Sequence, residues 1–235
     1  MKRNPDTLSF FEHLYELRGR VIKSVIVFIA ASCIFYNFVD PVLQFLIKPV
    51  GKLVFTAPAD AFVTRINLTM YGGFLLALPF VVYQIWQFVA IGLKETEKKY
   101  ILWFGPISLV LFFCGTLFAY FVAIPISLHF LLSFATDHIE PMITIKSYIS
   151  YIGSFILAFG VVFEMPLVLM FLAKIGIATP EFLVQKRRHA IVLILIISAI
   201  LTPPDVVSQI IMAAPMLILY EISILFCRIN FQQSS

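Results

Sequence analysis

Charge is scarce in this chain: of 235 residues only 13% are Asp, Glu, Lys or Arg, while 61% are hydrophobic. A soluble domain carries about a quarter charged residues, so a water-soluble enzyme or binding module is excluded. Cysteine is scarce too. Cys33, Cys114 and Cys227 each lie inside an apolar run, where a thiol behaves as a small hydrophobe, and neither a disulfide framework nor a metal cluster is expected. The four histidines, His13, His129, His138 and His189, lack the HExxH spacing, and neither GxSxG nor a Gly-rich phosphate loop occurs. No catalytic residues, metal or cofactor are therefore expected. The first twenty residues hold Lys2, Arg3, Asp6, Glu12, His13, Glu16, Arg18 and Arg20 rather than an apolar core with a cleavage site, and no cleavable signal is expected.

What the chain does have is a succession of long apolar runs, bounded by charge or by Pro and Gly. They lie near 21–46, 68–90, 101–123, 148–173, 189–201 and 206–227. Runs of this length read as membrane spans. The expectation is an all-α polytopic membrane protein with six transmembrane helices, a single integral membrane domain over 1–235, with an amphipathic segment at 5–20 before the first span. Asp40-Pro41 is a candidate break in that span.

Six spans assign Lys and Arg to alternate sides. Of the 17 basic residues, Lys2, Arg3, Arg18, Arg20, Lys23, Lys94, Lys98, Lys99, Lys174, Lys186, Arg187, Arg188 and Arg228 fall on one side; only Lys48, Lys52, Arg65 and Lys146 fall on the other. Cytoplasmic loops carry the excess, so both termini are expected in the cytoplasm. The run at 189–201 spans roughly 20 Å as a helix, against a hydrocarbon core of about 30 Å. With the turn Thr202-Pro203-Pro204-Asp205, spans five and six form a short hairpin that thins the bilayer or sits recessed.

Several polar residues stand out. Ser9 and Glu12 have the spacing of a capping box, after which Phe10, Leu14, Leu17 and Val21 share one helical face and Glu12, Glu16 and Arg20 another. Spacing alone favours an interfacial helix with solvated charges. Glu95 and Glu97 open the third span, where a helix N-terminus favours negative charge. Glu16 and Glu97 together also fit a second reading, two anionic ligands for a dibasic peptide, with arginine preferred because guanidinium pairs with carboxylate bidentately. Glu164, deep in the fourth span, costs about 2.5–3.5 kcal/mol to insert and so calls for a role or a buried partner, while Pro166 bends the helix beside it. Asp205 reads as the N-cap of the sixth span, with Gln209 one turn on. Glu221 has Arg188 and Arg228 as candidate partners. A proton-coupled transporter using Glu164 is the competing function.

The run Phe11-Glu12-His13-Leu14-Tyr15-Glu16-Leu17-Arg18 resembles the N-terminal signature of the TatC family, the multispanning subunit of the twin-arginine protein translocase. Leu78-Pro79, Tyr83-Gln84-Ile85-Trp86-Gln87-Phe88, Gly92-Leu93, Phe163-Glu164-Met165-Pro166, Leu201-Thr202-Pro203-Pro204-Asp205, Ser208-Gln209 and Leu219-Tyr220-Glu221 match later motifs in the same order. The resemblance implies a receptor in the bacterial cytoplasmic membrane. It would bind twin-arginine signal peptides of folded precursors, recruit the single-span TatA and TatB subunits for export driven by the proton-motive force, and self-associate, among lipid and without nucleic acid. On that match Glu16 and Glu97 would contact the signal-peptide arginines with Arg18 and Phe88 nearby, Glu164 would face a membrane cavity, and Pro49, Asp205 and Gln209 would act on the external side. Ile91 stands where the family usually has Pro, Asp60 where Glu is commoner and Asn67 where Lys is often found.

Overall fold

The computed structural model describes residues 10–51, 53–93, 101–134, 142–202 and 205–232, with the backbone alone at 10–12, 101–102 and 230–232. The helices are α1 (Phe10–Phe35), α2 (Val39–Ile47), α3 (Asp60–Ile91), α4 (Ile101–Phe118), α5 (Ile124–Leu132), α6 (Ile145–Phe163), α7 (Met165–Lys174), α8 (Pro180–Gln185), α9 (Arg187–Leu201) and α10 (Val206–Gln232). Among the described residues no strand occurs, only an isolated bridge between Val54 and Thr144. The chain divides into two compact units, Met1–Lys52 with Phe62–Leu109 and Leu53–Ala61 with Val110–Ser235.

In the first unit residues 10–20 of the expected amphipathic segment and the first part of the expected span form one continuous helix, α1; the start of that segment, with Ser9 of the expected capping box, lies outside the described residues. The break comes earlier than Asp40-Pro41. A 3₁₀ turn at Tyr36–Phe38 separates α1 from α2, because the Pro41 ring removes the bond to, and clashes with, the carbonyl four residues back, at Asn37. The helix ladder therefore fails before the proline. α1 and α3 approach closely where glycines permit it: a Cβ on Gly72 would lie 2.1 Å from the Phe35 ring, and one on Gly73 2.1 Å from Ser32 Oγ. Such small-residue contacts replace the hydrophobic drive that lipid cannot supply between helices. Arg65 reaches from α3 to Asp40 on α2 at 2.6 Å, and Trp86 packs on Phe104 with ring centroids 5.2 Å apart. α3 starts eight residues ahead of the apolar run that marked the second span.

The second unit is built round Phe155, Phe159, Ile149 and Met212, all with under 2% exposure. α4 continues through a π turn at Ala119–Ala123 into α5, so the helix runs past the expected end at 123. Pro125 explains the widened turn, since it has no N–H for the Phe121 carbonyl. The fourth span is broken at Glu164, which closes α6 and opens α7 with φ −72° and ψ −15°. Its N–H bonds to Val161 O at 3.1 Å and is directed also to Val162 O, the carbonyl for which Pro166 has no donor. α7 ends in a Schellman motif, with Ile177 N–H on Leu172 O, Gly176 N–H on Ala173 O and Gly176 at φ +79°. Thr179 caps α8 by accepting from Phe182 N–H at 3.2 Å. Tyr220 Oη donates to Leu183 O at 2.7 Å, fixing α8 on α10. Glu221 pairs with Arg187 at 2.7 Å rather than with Arg188 or Arg228, because Arg187 opens α9, which returns antiparallel beside α10.

Among the described residues, five helical segments are long and apolar enough to cross a membrane: His13–Ile47, Asp60–Ile91, Trp103–Leu132, Ile145–Lys174 and Val206–Ile229. α9, the fifth of the expected spans, has 15 residues, about 22 Å of helix; Pro203 and Pro204 of the following turn lie outside the described residues.

Helix packing in the second unit depends on Gly115, where a Cβ would sit 2.4 Å from the Phe159 carbonyl oxygen. Alanine there is expected to destabilise the solubilised protein by about 1–3 kcal/mol, the scale of overpacking. Alanine at Gly105, with no atom within 4 Å, is expected to leave stability level or slightly raised, and denaturant unfolding of both variants checks the contrast. Asp60 precedes the apolar run of α3, and its Oδ2 accepts from Ala57 N–H at 2.9 Å and from Thr56 N–H and Oγ1 at 3.1 Å. The Ala57 N–H above all, opposed by burial and helped by Thr56 and the Lys146 ammonium, holds the carboxyl below the usual carboxylate range. A depressed folded-state pKa gives stability that is complete above the unfolded value of about 3.9 and is lost as pH falls through the lower folded value. Asp60→Asn is therefore expected to melt below the parent at neutral pH, with the gap closing below about pH 4 in thermal melts taken across that range.

Candidate functional site

α1 carries Glu16 and Arg20 four residues apart, the spacing and order that favour an acid–base pair along a helix. Arg20 Nη2 lies 2.8 Å from Glu16 Oε1, and Arg20 Nη1 donates to Gln84 Oε1 on α3 at 3.1 Å. Gln84 is buried. Arg20 keeps only 18% of its side chain exposed, while Glu16 keeps 45%. The guanidinium thus ties two helices together and holds the Glu16 carboxylate in one orientation, with a face still open to a second cation. Isolated, such a pair contributes about 0.3–0.5 kcal/mol; its importance is geometric.

Below the pair runs an apolar groove of about 390 Å³, lined on α1 by Leu17, Arg20, Val21, Ser24, Val25 and Phe28 and on α3 by Phe74, Val81, Gln84, Ile85 and Phe88. Phe88 also packs on His13, ring centroids 4.8 Å apart. The groove therefore has a greasy body with Arg20 and Gln84 in its wall, and the Glu16 carboxylate is tied to it through Arg20. Of the residues singled out from the sequence, Phe88 lines the groove, and Glu16 is joined to it through Arg20. Arg18 is exposed and, about 200° round the helix from Arg20, does not line the groove. Glu97 lies outside the described residues. The Arg20–Gln84 link was not foreseen, although Glu16 and Arg20 were placed on one face and Gln84 is a polar residue inside an apolar run. Pro49, in the same unit, is exposed in the turn after α2, where Val50 and Gly51 N–H groups both bond to Ile47 O.

In the second unit Glu164 sits at the α6–α7 break with Oε1 buried. Its position at a proline break gives a carboxylate and loosened carbonyls together, a polar point within an apolar segment. Asp205 is the N-cap of α10: Oδ1 accepts from Ser208 N–H at 2.7 Å, and Gln209 N–H bonds back to Asp205 O at 3.2 Å. Gln209 Nε2 donates to Leu195 O at 3.0 Å, tying α10 to α9. Glu164 is thus on a different pair of helices from Asp205 and Gln209. No cluster of three or more His, Cys, Asp or Glu able to hold a metal ion occurs among the described residues.

The chain is similar to known proteins along nearly its whole length. A family model described as Sec-independent protein translocase protein (TatC) matches residues 12–215. The Sec-independent protein translocase protein TatC of Carboxydothermus hydrogenoformans is 46% identical over 233 residues, covering 97% of this chain and 95% of that one. The TatC protein of Aquifex aeolicus is 39% identical over 221 residues, covering 91% and 92%. Among solved structures, a crystal structure titled as the twin-arginine translocase receptor TatC superposes with a TM-score of 0.84 at 38% identity, covering 93% of this chain and 99% of that one. Sequence motifs, all-helical membrane architecture and these relationships agree, and the chain belongs to the TatC family of Sec-independent protein translocase proteins.

Proposed function

We propose that this chain is the receptor subunit of a twin-arginine translocase, binding the signal peptides of folded precursors and recruiting single-span TatA and TatB partners for export driven by the proton-motive force. The observation that carries the reading is the Glu16 carboxylate, oriented by Arg20 and Gln84 and half exposed above an apolar groove. A twin-arginine signal peptide has the matching chemistry, two guanidinium groups followed by an apolar stretch. Arg20 already occupies one side of Glu16, so an incoming arginine takes the open side, and Glu97 supplies the second carboxylate. Arginine is preferred over lysine there because its planar fork engages a carboxylate with two parallel bonds.

Phe88 provides the apolar wall beside the pair, and Arg18 bounds the site on the outer face of α1. Glu164 is the polar contact for a partner helix or for the inserted peptide within the bilayer. Pro49, Asp205 and Gln209 act at the opposite, external side, where Asp205 and Gln209 fix the turn between α9 and α10. The chain works as one integral membrane domain, assembled with further copies, in the bacterial cytoplasmic membrane. Kinship with translocase proteins gives no support to a proton-coupled transporter built on Glu164.

The excess of Lys and Arg on the segments ending in both termini supports a cytoplasmic location for each. Single cysteines placed near residue 5 or 232 in a cysteine-free background are expected to be blocked by an impermeant maleimide only when inverted vesicles are used; one at position 57 should react from the opposite face. The receptor reading is tested by peptide affinity in detergent. Replacing Arg-Arg by Lys-Lys in the peptide, or Glu16 by Gln, is expected to weaken binding about tenfold or more, the scale of a hydrogen bond between charged groups, and Glu97→Gln to act likewise. Affinity indifferent to all three changes would place the carboxylates as helix-end charges only.

A further inference from the structure

Tyr151 of α6, Ser127 of α5 and Ser208 of α10 converge in the interior of the second unit, beside Asp205. Both serines have no exposed surface, and their hydroxyls hydrogen-bond to each other. Asp205 uses Oδ1 to cap Ser208 N–H, while its Oδ2 is buried and has no hydrogen-bond partner among the described residues. Tyr151 Oη is buried as well. It lies close enough to the Ser127 and Ser208 hydroxyls and to the Asp205 carboxylate to feel all three, without completing a well-formed hydrogen bond to any of them. Buried polar atoms are ordinarily paired, and each exception calls for an explanation. Here the two exceptions are complementary: a phenol donates and an ionised carboxylate only accepts.

We propose that Tyr151 is a positioning residue for Asp205: a small closure of α6 on the first turn of α10 lets Tyr151 Oη donate to Asp205 Oδ2. The Ser127–Ser208 bond keeps α5 and α10 in register while this happens. The closed latch satisfies both orphaned atoms at once and fixes the start of α10, together with the Gln209 link to α9. Tyr151 thereby acts on transport through Asp205 and takes no part in recognising the signal peptide, whose site lies in the other unit. The proposal rests on the external-side role given to Asp205 above.

The test uses the full chain reconstituted with its TatA and TatB partners, with precursor transport rate and signal-peptide affinity measured on the same membranes. Tyr151→Phe removes only the hydroxyl. It is expected to slow transport about tenfold, the scale of one hydrogen bond to a charged group, with peptide affinity unchanged. Added to Asp205→Asn, it is expected to cost nothing further. Ser127→Ala provides a second, independent variant and is expected to slow transport in the parent but not in Asp205→Asn. Transport at the parent rate in Tyr151→Phe, effects of Tyr151→Phe and Asp205→Asn that multiply, or a parallel loss of peptide affinity would each overturn the latch. Asp205→Asn transporting at the parent rate would instead remove the role of Asp205, leaving the peptide site on Glu16 untouched.

Discussion

A hydrocarbon core contains nothing that can accept or donate a hydrogen bond, and that constraint governs the architecture. Every backbone N–H and C=O within it must be satisfied inside the chain, so the polypeptide is helical wherever it is apolar. Among the described residues, three departures inside the apolar helical segments precede a proline. The 3₁₀ turn ahead of Pro41, the π turn ahead of Pro125 and the break ahead of Pro166 all lie within the turn that loses its donor. Each break leaves carbonyls loosened inside an apolar segment, and at the third a carboxylate, Glu164, sits at the same point.

The same constraint decides how helices adhere. Lipid is as apolar as leucine, so burial alone does not drive helices together, and close packing and polar links take over. Gly73 brings α3 against the Ser32 backbone of α1 and Gly115 brings α4 against the Phe159 carbonyl of α6, while Gly72 and Gly160 make room for the Phe35 and Phe112 rings. Among the described residues the polar links include Arg20 to Gln84, Arg65 to Asp40, Arg187 to Glu221, Gln209 to Leu195, Tyr220 to Leu183 and Ser127 to Ser208. A groove beside α1 can stay open because neither packing nor solvent aversion requires it to close. That opening, with the Glu16 carboxylate tied to it through Arg20, is what supports the proposed binding of a cationic and apolar peptide.

Polar residues in such a chain divide by the work their surroundings allow. Thr144, Thr179 and Asp205 are spent on helix starts, which is what their sequence positions ahead of apolar runs suggest. Asp60 gathers three donors from the preceding loop. Glu16 is different, since an arginine engages one side of it and the other remains half exposed. The distinction between a cap and a ligand lies in what remains unoccupied after folding.

Hydropathy and the distribution of Lys and Arg carried the all-α membrane class, the helix-rich runs and the N-cap at Asp205, because apolar length and helix-start chemistry are local properties written residue by residue. Glu16 and Arg20 on one face were legible for the same reason, the period of 3.6. Helix ends were less so: α3 begins at Asp60 and α5 ends at Leu132, since helices extend past the apolar run wherever no residue stops them. Pairings between distant elements were not legible at all. Arg20 with Gln84, Arg187 rather than Arg188 or Arg228 with Glu221, and the meeting of Ser127, Tyr151 and Ser208 beside Asp205 depend on which helices lie side by side and at what rotation. Only tertiary packing sets that rotation, because along the sequence a polar residue in an apolar helix has a face but not yet a neighbour.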